Sequence, residues 1–337
     1  MAVRVAINGF GRIGRAFVRA SAHDPGVDVV AINDLGDVSN LAYLLKYDTV
    51  YGRFMGQVSP GEGELVIGAK RVKFLQEKDP ATLPWKDLGV DVVIESTGVF
   101  DSYEKASAHI AAGAKRTVIT APVKDSAPNG ATVLMGVNEE KLQTCTITSN
   151  ASCTTNSASP LIAILDEALG IEKALLNTVH SYTATQSVVD SSVKGPDVRR
   201  GRAAAQNIVP SSTGAATAVT KAYPNLAGRF DGIAMRVPVV CGSLVDITFI
   251  AKRDTTAEEV NKILSNAAAS PRWQGIFAVS NEPLVSSDII GSEYASVADL
   301  PMTRVIGNLV KVLAWYDNEM GYAHTLLRHV KEAGKLL

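Results

Sequence analysis

A chain of 337 residues, 46% hydrophobic and 20% charged, has the composition of an ordinary globular protein and a length suited to two domains. Its formal net charge of −1 gives no general attraction to nucleic acid or acidic membranes, and no stretch approaches the ~18 apolar residues of a membrane span. The three cysteines, Cys145, Cys153 and Cys241, lack CxxC spacing and nearby histidine clusters, so neither a disulfide framework nor a metal site is expected. With no apolar run of signal-peptide length in "MAVRVAINGFGRIGR", the expected location is the cytoplasm.

The first third reads as strand–helix alternation. Val3, Val5 and Ile7 alternate as in a strand, the pattern breaks at Gly9, and Ile13, Phe17 and Val18 resume at helical spacing. Gly9, Gly11 and Gly14 then fit G-x-G-x-x-G: a tight turn, close approach of backbone to a pyrophosphate, and close helix–strand packing. A second strand, 27–33, ends at Asp34, where a carboxylate would accept hydrogen bonds from an adenosine ribose. Further strands are expected at 90–98, 115–122, 131–137 and 146–150, with a helix stopped by Gly113 between the first two. Such alternation predicts a doubly wound parallel sheet binding its ligand at the strands' carboxyl ends. Thr97 and Thr120 fall at two such ends; they either line the cofactor or close their strands with hydroxyl-bonded turns.

"SNASCTTNS" follows, with Cys153 ringed by hydroxyls and amides. Ser152 suits an N-cap, which puts Cys153 in the first turn of a helix running to Gly170. There the helix dipole favours a thiolate, and free N–H groups can receive an oxyanion. Of five histidines, His180 ends an apolar run and is followed by "SYTATQ", whereas His23, His109, His324 and His329 lie in helix-like stretches read as solvated. His180 is therefore the expected partner of Cys153, in a thiolate–imidazolium pair. Arg199, Arg200 and Arg202 sit in a loop-like stretch that a solvated face explains equally well, but Arg236 lies inside the apolar strand "GIAMRVPVV" and needs an anion. A phosphorylated substrate fits.

Taken together, "INGFGRIGR", "SNASCTTN", "HSYTATQ", "STGAA", "RVP" and "WYDNEMGYA" occur in the order found in phosphorylating glyceraldehyde-3-phosphate dehydrogenase, which the chain resembles from about residue 2 to residue 335. The resemblance implies that Cys153 is the nucleophile and that His180 activates its thiol and assists hydride transfer. Arg12, Ile13, Asp34, Lys78, Thr120 and Asn318 match cofactor-contacting positions. Ser152, Thr154, Thr183, Arg199, Thr213, Gly214 and Arg236 match positions that hold the substrate phosphate and inorganic phosphate. It further implies NAD as cofactor, glyceraldehyde 3-phosphate and inorganic phosphate as partners, and a homotetramer built through the central sheet and the loop around 182–206.

The chain departs from many bacterial relatives after Asp190, where Ser191 and Ser192 replace Leu-Pro. In the family a small residue plus serine there accompanies tolerance of the NADP 2′-phosphate, while Asp34 opposes that phosphate, so NAD is the first choice and NADP the second. "VKGPD" at 193–197 lengthens the same loop, and Met320 stands where tryptophan is common. By resemblance the Rossmann-type nucleotide domain is discontinuous, 1–151 and 317–337, around an α+β catalytic domain, 152–316, with a largely antiparallel sheet. Erythrose-4-phosphate dehydrogenase shares the Cys/His pair, but "HSYTATQ", "STGAA" and "NEMGY" favour the triose enzyme. Semialdehyde dehydrogenases lack the motif series, and a non-catalytic NAD-sensing or nucleic-acid-binding protein would not need Cys153 and His180.

Overall fold

Alternating Val3, Val5 and Ile7 form the strand Val3–Asn8, and the break at Gly9 turns the chain into the helix Arg12–Ser21. The computed structural model describes residues 2–193 and 195–337. The chain forms two compact units: Met1–Met135, Glu139–Ala151 and Ala323–Leu337 make the first, Gly136–Asn138 and Ser152–Tyr322 the second. Residues 317–322 thus cluster with the second unit.

Among the described residues the first unit carries a nine-stranded sheet. Strands 130–132, 147–149, 116–119, 92–95, 3–8, 27–33 and 70–75 lie side by side in parallel. From the first strand the chain winds outward through Val27–Asn33 to Lys70–Leu75, then crosses back to Val92–Glu95 on the other side. The reversal between Val3–Asn8 and Val92–Glu95 is the switch point at which such sheets hold ligands. The ladders are shorter than the sequence predicts; the expected strand 131–137 keeps only Gly130–Thr132. An antiparallel ribbon, Val58–Gly61, Glu64–Ile67 and Lys70–Leu75, was not foreseen, because charged residues on its open face interrupt the apolar pattern.

Val5, Ile7, Ile32 and Ile94 are fully buried, each contributing about 1.5–3 kcal/mol by leaving water. The small Ala6 and Ala31 leave room for Trp85, whose indole N–H donates to His109 Nδ1 at 3.1 Å. Two histidines read as solvated are in fact fully buried, His109 and His329. His109 faces inward from the helix Tyr103–Ala111, with Nε2 3.0 Å from Glu95 Oε2. His329 meets Thr148 Oγ1 at 2.8 Å and Asn150 Oδ1 at 3.1 Å, and burial pulls its pKa down to about 3. Helical spacing alone could not tell the inner face from the outer where both carried polar residues.

The second unit is built on a mixed sheet, largely antiparallel, ordered 209–212, 230–237, 171–181, 243–251, 309–316, 296–299 and 277–280. Residues of Ser243–Ala251 alternate buried and part-exposed, so one face of the sheet is covered. The helix Cys153–Leu169 lies against that sheet and against the helices Ala215–Ala222 and Ala257–Ala268. It is buried along most of its length, including the polar first turn Thr154, Thr155, Asn156 and Ser157. Hydroxyls placed so deep need partners, and those partners build the site. No described helix is long and apolar enough to cross a membrane.

Candidate active site

In the first unit the three glycines differ in what surrounds them. Gly9 has φ +96°, and a Cβ there would lie 2.6 Å from the Thr97 nitrogen. A Cβ on Gly14 would lie 2.5 Å from the Gly9 carbonyl oxygen and 3.2 Å from Ile7 Cγ2, so this glycine lets helix and strand touch. Gly11 has nothing within 4 Å and caps the helix Arg12–Ser21 without any side-chain bond. That helix start, with no side-chain cap and room beside Gly11, fits a dinucleotide pyrophosphate.

Around it the predicted residues fall into place unevenly. Asp34 is held rigidly: Oδ2 accepts from the Phe10 N–H at 2.7 Å and Oδ1 from the Gly36 N–H at 2.8 Å. Ile13 lies part-buried in the first helical turn, and Lys78 is exposed. Arg12 is engaged with Asp48 at 2.5 Å and lies over the Tyr51 ring at 5.9 Å. The Thr97 hydroxyl donates to Glu95 Oε1 at 2.5 Å and that of Thr120 to the Glu95 carbonyl oxygen at 3.1 Å, so both close strand ends. Glu95, only 2% exposed, also accepts from Asn8 at 2.6 Å and organises this edge; as a buried acid at a strand end it gave no sequence signal.

In the second unit Ser152 caps its helix as expected, accepting from the Thr155 N–H at 3.1 Å. Just before it Ala151 adopts φ +53°, a left-handed conformation that strains any side-chain-bearing residue. The turn aims the part-buried Cys153 at His180, with Sγ 3.4 Å from Nε2. His180, 3% exposed, is the penultimate residue of the strand Ile171–Ser181, and register places it directly opposite Arg236. Arg236 Nη1 lies 2.7 Å from His180 Nδ1 and donates to the Ser181 carbonyl oxygen at 3.1 Å. The Ser181 oxygen is also 2.7 Å from Nδ1.

Burial works against the expected thiolate–imidazolium pair. Burial, then the Arg236 charge, pull His180 down to about 3. Burial pushes the Cys153 thiol up, a rise that Arg236 and the Thr154 N–H only partly offset. Both shifts favour the uncharged forms, a thiol beside an imidazole.

Tyr316 was missed from sequence. Its ring meets the His180 ring edge-on at 5.9 Å, and its hydroxyl bridges Thr154 Oγ1 at 2.9 Å and Thr178 Oγ1 at 2.8 Å. Thr178 donates to the Leu244 carbonyl oxygen at 3.1 Å, so the chain of donation runs Thr154 to Tyr316 to Thr178 to Leu244. The Thr154 hydroxyl thus joins Tyr316 to the Cys153 thiol, with which its side chain and its backbone N–H both interact. Tyr316→Phe should cost about 1–3 kcal/mol by leaving a buried threonine unpaired, read as a lowered unfolding temperature with Cys153 still reactive. An unchanged melting curve would show that the bridge carries nothing.

The remaining predicted residues are less gathered. Asn318 Oδ1 accepts from Ser181 Oγ at 3.0 Å, Ser243 Oγ at 3.0 Å and the Gly242 N–H at 3.1 Å, which fixes the amide. Thr183 Oγ1 meets Thr185 Oγ1 at 3.0 Å. Arg199 is exposed, whereas Arg200 is tied to Ser211 Oγ at 2.7 Å. Gly214 starts the helix Ala215–Ala222 with nothing within 4 Å, and Thr213 Oγ1 accepts from the Ala215 N–H at 3.2 Å. The ladder pairs Val209 with Arg236 and Ser212 with Ile233, so Thr213 and Gly214 begin at the far end of that pairing from Arg236. In the lengthened loop 193–197, Lys194 lies outside the described residues.

Known proteins match this arrangement over its whole length. Residues 3–103 match the family model for the glyceraldehyde 3-phosphate dehydrogenase NAD binding domain, and residues 152–318 match that for the C-terminal domain. The chain is 48% identical to glyceraldehyde-3-phosphate dehydrogenase 1 of Streptomyces avermitilis, covering 97% of each chain. It is 47% identical to the glyceraldehyde-3-phosphate dehydrogenase of Mycobacterium avium over 100% of both, and 47% identical to that of Geobacillus stearothermophilus over 97% of both. Open glycine turn, capped cysteine, facing histidine and these full-length matches lead to one statement: the chain belongs to the glyceraldehyde-3-phosphate dehydrogenase family.

Proposed function

We propose that the protein oxidises D-glyceraldehyde 3-phosphate to 1,3-bisphosphoglycerate with NAD and inorganic phosphate. The observation that carries this reading is Cys153 Sγ at the start of a helix, 3.4 Å from the imidazole of a buried histidine. Sγ attacks the aldehyde carbon while its proton passes to His180, giving a thiohemiacetal on Cys153. The N–H groups at the helix start stabilise the oxyanion. NAD, when bound, supplies the two-electron acceptor for the oxidation step. What remains on Sγ is a thioester; a phosphate oxygen attacks its carbonyl carbon, the C–S bond breaks, and the acyl phosphate leaves. Arg236 holds a phosphate group by charge-assisted hydrogen bonds.

On this reading Gly9, Gly11, Gly14, Ile13 and Asp34 serve the dinucleotide, and Asn318 offers its fixed amide to the cofactor. Exposed Val188, Val189, Val198 and Ile208 in and beside the long loop support packing between subunits of a homotetramer. Cysteines that form no disulfide among the described residues suit the cytoplasm. Both glycolytic and gluconeogenic directions use the same groups. The test is NAD reduction with the purified protein and glyceraldehyde 3-phosphate, with and without phosphate. Turnover that needs neither phosphate nor a free Cys153 would refute the reading.

Cofactor choice follows from Asp34. Its carboxylate, fixed by two backbone donors, opposes a 2′-phosphate, while the small Ser191 and Ser192 exclude it less than Leu-Pro would. NAD should be preferred with measurable NADP activity. Asp34→Gly should lower the NAD-over-NADP ratio of kcat/KM by about tenfold or more, since a close like charge is worth at least ~1.4 kcal/mol. A wild-type preference for NADP would show that the serines outweigh the carboxylate.

A further inference from the structure

Ala151 holds φ +53° with its methyl fully buried, and a strained conformation of this kind persists only where its surroundings over-determine it. Ser149 Oγ accepts from the Ala151 N–H at 3.0 Å while donating to the Ala121 carbonyl oxygen at 2.6 Å. Asn150, fully buried, donates its own N–H to the Ile119 carbonyl oxygen at 2.9 Å. Its side chain is gripped from the last helix, Met320–Gly334: Oδ1 lies 3.1 Å from His329 Nδ1, and Nδ2 donates to Thr325 Oγ1 at 3.3 Å. Thr325 and His329 are four residues apart and share one face of that helix. With its pKa pulled down to about 3 by burial and then by the Arg116 charge, the His329 ring carries a single proton at neutral pH. Asn150 Oδ1 can only accept, so that proton sits on Nδ1 and Nε2 accepts from the Thr148 hydroxyl at 2.8 Å. One imidazole thus spans Thr148 and Asn150, and donation runs from Thr148 through His329 and Asn150 to Thr325.

We propose that His329 and Thr325 are positioning residues for the nucleophile: by clamping Asn150 they hold the turn at Ala151 in the one backbone state from which the chain enters the helix Cys153–Leu169 with Sγ toward His180. The inference rests on the reading above, in which Cys153 carries the covalent chemistry. Neither residue bonds to the thiol; both act through the chain, which has only Ala151 and Ser152 between Asn150 and Cys153. A backbone rotation at residue 151 is levered directly onto the sulfur, and a misplacement of about 1 Å can cost up to ~10²-fold in rate. The clamp also gives the C-terminal helix a part in the chemistry: its return to the first unit supplies the two side chains that Asn150 needs.

The test is a set of variants of the full chain read by three measurements: kcat with glyceraldehyde 3-phosphate, the rate of Cys153 alkylation by iodoacetamide, and the Kd of NAD by calorimetry. His329→Leu, which removes both ring contacts, should lower kcat and the alkylation rate together on the order of 10-fold, with the Kd of NAD unchanged. Thr325→Val, which removes the hydroxyl and little volume, should lower both by a smaller factor, and Thr325→Ser should restore them. In an Ala151→Gly background the turn has already lost its single backbone state, so His329→Leu should subtract little more; the two effects should fail to multiply. Lowered melting temperatures with kcat and alkylation unchanged, or effects that multiply independently across the cycle, overturn the positioning role. Should His329→Leu fail to fold, the same cycle run with Thr325→Val decides. A wild-type protein that does not turn over glyceraldehyde 3-phosphate overturns the functional reading instead, and the alkylation rates still settle whether the clamp aims the sulfur.

Discussion

Cys153→Ser should abolish turnover while NAD binding survives. A serine at the first helical position keeps the cap, the turn and a hydrogen bond to His180 Nε2, so the fold and the first unit are undisturbed. What disappears is the nucleophile: the hydroxyl is far less acidic and less nucleophilic than a thiol near neutral pH. The loss should be on the order of 10⁵–10⁶-fold, the scale on which removal of the nucleophile from a concerted catalytic set is felt. Steady-state NAD reduction and calorimetric titration with NAD measure the two halves separately. Activity within tenfold of wild type would end the assignment of covalent chemistry to this residue.

His180→Asn should slow turnover on the order of 10²–10⁴-fold at neutral pH, the range for loss of a general base. The pH dependence discriminates further. With its pKa held at about 3, His180 stays neutral throughout the physiological range, so wild-type activity should not fall off on the acid side near the usual histidine value. In the variant the thiol, pushed up by burial, must lose its proton to solvent. Its alkylation rate by iodoacetamide should therefore rise steadily with pH through and beyond the ordinary thiol range, and the deficit against wild type should shrink. Alkylation profiles of the same shape in both proteins would mean that His180 is not the thiol's partner.

The parts of the site that were legible in sequence are those fixed by local chain geometry. Gly9, Gly11 and Gly14 are constrained by neighbours a few residues away, and Ser152 caps a helix three residues on. Strand alternation and glycine breaks likewise exposed the parallel core, though with ladders too long at the carboxyl ends, where main-chain bonds give way to turns. The illegible parts are long-range. Tyr316 reaches Thr154 across 162 residues and Thr178 across 138, through a register no local pattern encodes. Arg236 was flagged as a buried cation, yet its placement on His180 follows only from the pairing of strands 171–181 and 230–237. His109 and His329 were misplaced for a related reason: a polar residue on a helix shows its inner face only once its partners, Glu95 and Thr148, are in place. The charge state of the Cys153–His180 pair depends on how deeply the pair is buried, which residue spacing does not report.

Ala151, left-handed at φ +53°, separates two quantities that protein engineers usually find tied together. Glycine there would relieve a conformational penalty of about 1–2 kcal/mol, but would add about 0.5–1 kcal/mol of chain entropy to the unfolded state. The buried methyl that glycine gives up, worth about 0.8 kcal/mol, offsets most of what is left, so thermal selection between the two is almost blind at this position. Catalytic selection is not, because the methyl group, fully buried, pins the turn that aims the sulfur. The choice between alanine and glycine at residue 151 would therefore sort by turnover rather than by melting temperature, making it a dial for nucleophile precision that leaves robustness alone.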